Sequence, residues 1–240
     1  MFINQLFQFW VESHWSVAFA MSSLVNIVVY LSTAFVLSIL IKKFVARKHG
    51  RYIDNNPLKE GQVKWEIKFG VTACLIFAAS SLATRELFYK LWPESIADVF
   101  LQTICFVLFY ETYSYFVHLL LHQKTFTKYH SIHHKSVRVT PWSAYSVHPI
   151  EASFIGFSAP LFMLMFPFSL GLALVLHIFG MMFTILLHSN FEYGANNKLL
   201  KLMSTYPIYH SKHHHYGTVN FGFVGNFWDR VLKTSHKEIP

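Results

Sequence analysis

Two copies of one histidine motif, His130-x-x-His133-His134 and His210-x-x-His213-His214, flank the longest run of the chain without a charged residue. That run, Ala152 to Leu187, contains no Asp, Glu, Lys or Arg and is punctuated by Pro160, Pro167 and Gly171. A single long, tilted helix crossing a bilayer would leave the two motifs on opposite faces. A run that enters, breaks near Phe166–Gly171 and returns leaves both on the same face. Shared chemistry between the motifs therefore selects a helical hairpin.

Other segments have the same membrane character. The chain is 53% hydrophobic and only 13% charged, a membrane composition. Trp15 to Ile41 carries no Asp, Glu, Lys or Arg and at ~1.5 Å per residue exceeds a ~30 Å hydrocarbon core. Lys42, Lys43, Arg47, Lys48 and Arg51 follow at once. Phe69–Thr84 is the next apolar run, and Val99–Leu121 returns after Pro93, interrupted by Glu111 and His118.

The positive-inside rule puts the first terminus outside and the basic loop in the cytoplasm. All but Arg85 and Lys90 of the 20 basic residues then lie inside, the last terminus included. The net charge of +8 thus reflects membrane orientation, and no nucleic-acid partner is expected. Met1–Trp15 reads as an interfacial segment with aromatics at headgroup depth. It lacks Lys and Arg, so no signal-peptide n-region is expected. Cys74 and Cys105 lie in apolar runs and read as small buried hydrophobes.

The expected fold is an all-α integral membrane protein with about four transmembrane helices, one pair forming the hairpin. A cytosolic helical lobe carries the histidine-rich site. Residues 1–95 supply two spans and the basic loop, and residues 96–240 the catalytic region, within one structural domain. A bacterial inner membrane is expected in preference to the endoplasmic reticulum.

Ten histidines are candidate metal ligands: His118, His122, His130, His133, His134, His148, His188, His210, His213 and His214. His118 and His122 stand at i, i+4 on one helical face. In H-x-x-H-H the first and fourth positions share a face and the fifth lies about 100° around, so each triplet can feed two ions. Eight imidazoles from two triplets and one pair are too many for one tetrahedral zinc and suit two ions. His148, in His148-Pro149-Ile150-Glu151, and His188, in His188-Ser189-Asn190, are further ligands or their supports. Glu111, two turns before His118, would orient a ligand histidine through its free ring N–H. His177 reads as a satisfied residue within a span, and His14, His49 and His236 as solvent-exposed. His215 extends the second triplet, as a further ligand or an incidental neighbour.

The order H-x-x-x-H, H-x-x-H-H, H-P-x-E, H-S-N and H-x-x-H-H, then Asn220-Phe221-Gly222 and Trp228-Asp229-Arg230, resembles the fatty acid hydroxylase/sterol desaturase superfamily over about residues 100–235. Thr140-Pro141-Trp142-Ser143-Ala144-Tyr145 before His148 resembles the sterol desaturase branch. Leu119 and Leu232-Lys233-Thr234 depart from the usual pattern, which has Arg and Phe-Gly-Thr at these places. The resemblance implies a di-iron centre facing the cytoplasm, with dioxygen as co-substrate. Electrons would come from a small carrier, cytochrome b5-like or ferredoxin-like, and its reductase. It also implies catalytic-region roles for Glu111, Asn220 and Asp229.

The chemistry agrees with this. Neutral imidazoles suit iron, copper or zinc, and zinc competes well for such sites in isolated protein. A metal face opening toward spans rich in Phe, of which the chain has 25, expects a lipid substrate (sterol, fatty acyl or carotenoid), hydroxylated or desaturated. A membrane zinc-dependent lipid hydrolase is the alternative. It needs an activated water and a carboxylate base, for which Glu111, Glu151 and Asp229 are available, though no H-E-x-x-H is present. A metal transporter would place its ligands near the bilayer midplane, where only His177 falls.

Overall fold

The computed structural model describes residues 2–194 and 198–236. Its helices, in chain order, are α1 (Phe2–Glu12), α2 (Trp15–Ala46), α3 (Gln62–Leu87), α4 (Ile96–Leu121), α5 (Thr127–His134), α6 (Pro149–Gly156), α7 (Ser158–Met165), α8 (Leu170–Leu187), α9 (Lys198–Tyr216) and α10 (Phe227–Val231). Two three-residue strands, β1 (Gly50–Tyr52) and β2 (Phe191–Tyr193), pair antiparallel.

Among the described residues, α2, α3, α4 and α8 are long and apolar enough to cross a membrane. One face of α2 is buried through Ala18, Asn26, Tyr30, Ala34 and Ile41, while Leu24, Val28 and Phe35 are exposed. The buried spacings of four, seven and eight follow the helical repeat. Small residues on α3 let α2 approach closely, as membrane interfaces require. A Cβ at Gly70 would collide with the ring of Tyr30, whose hydroxyl donates to the Trp142 carbonyl at 2.7 Å.

The hairpin forms as the prolines dictate. Pro160 lies in the first turn of α7, where its missing N–H is tolerated, and the descending arm splits there into α6 and α7. The tip between Phe166 and Ser169 docks on the turn joining α3 to α4. Tyr89 N–H donates to the Phe168 carbonyl, Leu170 N–H to Lys90, and Gly171 N–H to Leu91, at 2.8–3.1 Å. Ser169 N–H is taken by Gln102 Oε1 at 2.8 Å. The hairpin therefore runs from the histidine end of the bundle to the opposite end and back.

The four long helices match the expected number, and the split arm of α6 and α7 is the partner of α8 in the hairpin. The 3₁₀ turn Pro141–Tyr145, α5, α9, α10 and the β1–β2 ladder form a lobe at the histidine end. Buried Glu66 ties α3 to that lobe by accepting from Gln62 Nε2, Ser136 Oγ and Thr140 Oγ1 at 2.6–2.8 Å. The interfacial segment forms α1, with Phe2, Ile3, Leu6 and Phe9 exposed.

Candidate metal centre

Nine of the ten candidate histidines converge in two adjoining groups. His118, His122, His130, His134 and His213 form one, and His133, His188, His210 and His214 the other; within each group the potential ligand atoms lie within 4.8 Å of one another. The C-terminal end of α4 supplies His118 and His122, α5 the first triplet, the C-cap of α8 His188, and α9 the second triplet.

Each triplet divides between the groups, but not by the expected pairing. His130 and His134 go together and His133 crosses over; His210 and His214 go together and His213 crosses over. The first and fifth positions differ by about 40° around a helix, the first and fourth by about 60°. The i, i+4 pair is thus the closer match to one ion, and the intervening histidine turns to the other. The rings of His134 and His214, from different groups, stack at 4.8 Å.

The Nε2 atoms point inward. In the first group the contacts are His118–His130, His130–His134 and His134–His213 at 3.1 Å, and His122–His213 at 3.3 Å. In the second they are His188–His210 at 2.9 Å, His210–His214 at 3.1 Å and His133–His188 at 3.3 Å. Nitrogens bound to one ion at ~2.0–2.1 Å stand roughly 3–3.4 Å apart along the edges of its coordination shell, so the spacing fits.

The outward nitrogens fix the tautomers. His118 Nδ1–H donates to the Phe221 carbonyl at 2.9 Å, His213 Nδ1–H to Val219 at 2.7 Å, and His188 Nδ1–H to Thr184 at 2.8 Å. Their Nε2 lone pairs then face one another, an arrangement a cation stabilises and its absence opposes. Burial, with neighbouring rings adding to it, pushes His122 down to about 3 and His134 to about 4; burial takes His188 to about 4 and holds His133, His210, His213 and His214 well below the usual imidazole range. The rings are neutral at physiological pH, the form that binds metal.

Four sequence expectations are corrected. His148 joins neither group; its Nδ1 caps α6 by accepting from Ile150 N–H at 3.1 Å, and its ring lies 4.7 Å from Tyr129. Glu111 takes the Gly225 N–H at 2.8 Å instead of a histidine, because the carboxylate faces the 220s loop. Asp229, fully buried, accepts from Phe221 N–H, Gly222 N–H, Tyr209 Oη and Thr234 Oγ1 at 2.6–2.9 Å. Asn220, also fully buried and at φ +59°, donates to the Tyr209 carbonyl and accepts from His236 N–H. Both hold the loop whose carbonyls orient His118 and His213, so neither touches the reacting space.

The carboxylate that does meet a ligand histidine is Glu151, whose Oε1 lies 2.9 Å from His130 Nδ1. The H-P-x-E motif signals it. The carbonyls of Val219 and Phe221 have no side-chain signal. His215 is exposed, beside Tyr216, and His177 bonds Asn26 Oδ1 through Nε2 at 2.7 Å.

Above the histidines is a cavity reaching into the helices. His118, His130, His133, His188 and His210 form one wall, and Tyr110, Val117, Tyr145, Ile155 and Phe223 among others form the rest. The arrangement can present an apolar molecule directly to the edge of both groups.

The sequence profile described as "Fatty acid hydroxylase" matches residues 103–234. The Delta(7)-sterol 5(6)-desaturase of Candida dubliniensis is 29% identical over 85% of this chain and 52% of its own length. That of Aspergillus fumigatus is 25% identical, covering 86% and 61%, and that of Saccharomyces cerevisiae 24%, covering 86% and 56%. The chain thus spans little more than half the length of the curated relatives it matches. No solved structure matches it.

Proposed function

The chain belongs to the fatty acid hydroxylase family, and we propose that within it this protein is an O2-dependent desaturase or hydroxylase of a sterol-type lipid, working with two iron ions. Membership of the family and the relatives' activity support a membrane lipid oxidoreductase. The observation that carries the finer reading is the apolar cavity ending on two groups of inward-facing imidazoles.

The first ion would be held from His118, His122, His130, His134 and His213, and the second from His133, His188, His210 and His214. Such a pair, when bound, supplies the capacity to reduce dioxygen and take hydrogen from an unactivated C–H. The chain's own residues do the rest. Carbonyls of Phe221, Val219 and Thr184 hold three imidazoles in one tautomer. Glu151 orients His130. Tyr110, Tyr145 and Phe223 exclude water and place a hydrocarbon at the histidine edge. In desaturation the lipid loses two hydrogens, and dioxygen with two electrons and two protons leaves as two waters. The electrons come from outside the chain, from a cytochrome b5-like or ferredoxin-like carrier and its reductase.

We place the histidine lobe in the cytoplasm, where the basic residues gather. The relatives named above are fungal, and the bacterial inner membrane gains no support from them. The zinc hydrolase reading is weaker. Of the three carboxylates it would use, Glu111 and Asp229 are committed to backbone N–H groups, and Glu151 lies against a ligand histidine, His130.

Mass spectrometry of whole-cell lipids with and without the gene tests the proposal. A sterol-type species losing two hydrogens or gaining one oxygen is expected only when the gene and oxygen are both present. Release of fatty acid or another hydrolysis product, independent of oxygen, would replace it with the hydrolase reading.

A further inference from the structure

A second cavity lies at the far end of the bundle, away from the histidine groups. Trp10, Ser22, Phe77, Gly156, Ala173 and His177 are among its walls. Helix α1 roofs it and is tied down. Trp10 Nε1–H donates to Ser22 Oγ at 3.0 Å, and Arg85 Nη1 donates to the carbonyls of Ser13 and Trp10 at 2.9 and 3.3 Å.

A thin wall separates this cavity from the one above the histidines. Tyr145 lines the first and Phe77 the second, and the two rings meet edge to face at 5.2 Å. Ile155 and Gly156, consecutive on α6, divide the same way. A Cβ at Gly156 would stand 2.6 Å from Ser80 Oγ and 3.2 Å from Phe77 Cδ1, so glycine keeps the wall thin. Polar side chains at the cavity edge are engaged with one another: His177 with Asn26 at 2.7 Å, and Ser81 with Ser22 at 2.9 Å. The surface left for a ligand is apolar, which suits hydrocarbon better than a headgroup. Between His177 in this cavity and His188 in the metal groups, α8 rises by about 16 Å.

We propose that this second cavity receives the hydrocarbon end of the lipid substrate remote from the C–H being oxidised. It makes the enzyme selective for an elongated molecule such as a sterol with its side chain. The inference rests on the lipid oxidase reading. Rotation of Phe77 off Tyr145 joins the two cavities into one channel.

The test uses the full chain, iron-loaded in lipid nanodiscs, and a cholesterol analogue with a diazirine at the end of its side chain. After photolysis, the label is expected on peptides containing Phe77 or Ala173. Ala173→Phe fills the cavity and should cut that labelling about tenfold while iron content stays that of the parent. If Ala173→Phe loses iron, Ala159→Phe, on the opposite wall, carries the same expectation. Label confined to lipid-facing positions such as Phe35 and Leu108, in protein that turns over lipid, overturns the inference and leaves the oxidase intact. Label in the cavity of a protein that makes no oxygen-dependent product keeps the hydrocarbon site and removes the oxidase reading.

Discussion

Glu151 Oε1 stands 2.9 Å from Nδ1 of His130, and both side chains are almost completely buried. His130 Nε2 meanwhile faces His118 and His134. One carboxyl group therefore sits against the outward nitrogen of a ring at the centre of the larger histidine group, placed to set that ring's direction. Supports of this kind typically contribute 10–100-fold to metal affinity or activity. Glu151→Ala should lower iron retention against a chelator, and turnover, by about that range. Glu151→Gln keeps an acceptor oxygen for the ring N–H and should lose less. Equal retention by wild type and the Ala variant would show that His130 needs no orientation from Glu151.

The division of the triplets makes metal content separable. His133 and His210 serve the four-histidine group, and His134 and His213 the five-histidine group. His133→Ala should leave about one ion per chain, since four ligands fall to three. His148→Ala should retain two, because His148 caps α6 outside both groups. Elemental analysis of the purified variants reads both. A His148→Ala protein that drops to one ion would return His148 to the ligand set.

Sequence carried much of this arrangement, and its failures have physical causes. The hairpin was legible because Pro160, Pro167 and Gly171 interrupt an uncharged run whose ends must meet. The histidines were legible because their spacing is local. Their grouping was misread because both i+3 and i+4 neighbours lie near one helical face, and about 20° decides between them. Helical phase alone points Glu111 toward a histidine. Phase fixes a direction, but the Gly225 N–H approaches from a loop more than a hundred positions on. Asp229 stands in a recognisable motif, yet its four acceptor contacts make it an anchor of the loop, which no periodicity reveals.

That anchor can be tested by stability. Asp229→Asn replaces one acceptor oxygen with an NH2 facing donors from Gly222 and Tyr209 or from Phe221 and Thr234. Hydrogen bonds to a charged group contribute about 1.5–3 kcal/mol each, so a loss of roughly 3 kcal/mol is expected. Thermal melts of detergent-solubilised protein should show a lower midpoint, with weaker iron retention because His118 and His213 lose their carbonyl partners. An unchanged melt with intact iron would mean that the 220s loop is held without this carboxylate.

Proton linkage gives a signed expectation for metal-free protein. His134 and His188 sit at about 4 in the fold against an ordinary 6.5. The unfolded chain therefore binds more protons between those values, and stability falls as pH drops from about 6.5 toward 4. Above 6.5 these groups add no pH dependence. Unfolding midpoints of chelated protein across that window should decline with acid. Midpoints that instead rise toward pH 4 would mean that the rings are charged in the fold.

Sidedness is the last expectation, and it can be checked without activity. The hairpin tip bonds to residues 89–91, while α5 and α9 bring their histidines together at the other end. Single cysteines replacing Lys128 and His215 should therefore label from the same face of a sealed vesicle, and a cysteine replacing exposed Tyr89 from the opposite face. The basic residues crowd the histidine end, so Lys128 and His215 should react from the cytoplasmic side. Labelling of Lys128 and His215 from opposite faces would break the hairpin and with it the shared centre. Labelling of both from the external face would keep the centre but reverse its orientation, and would require the electron donor to act outside the cytoplasm.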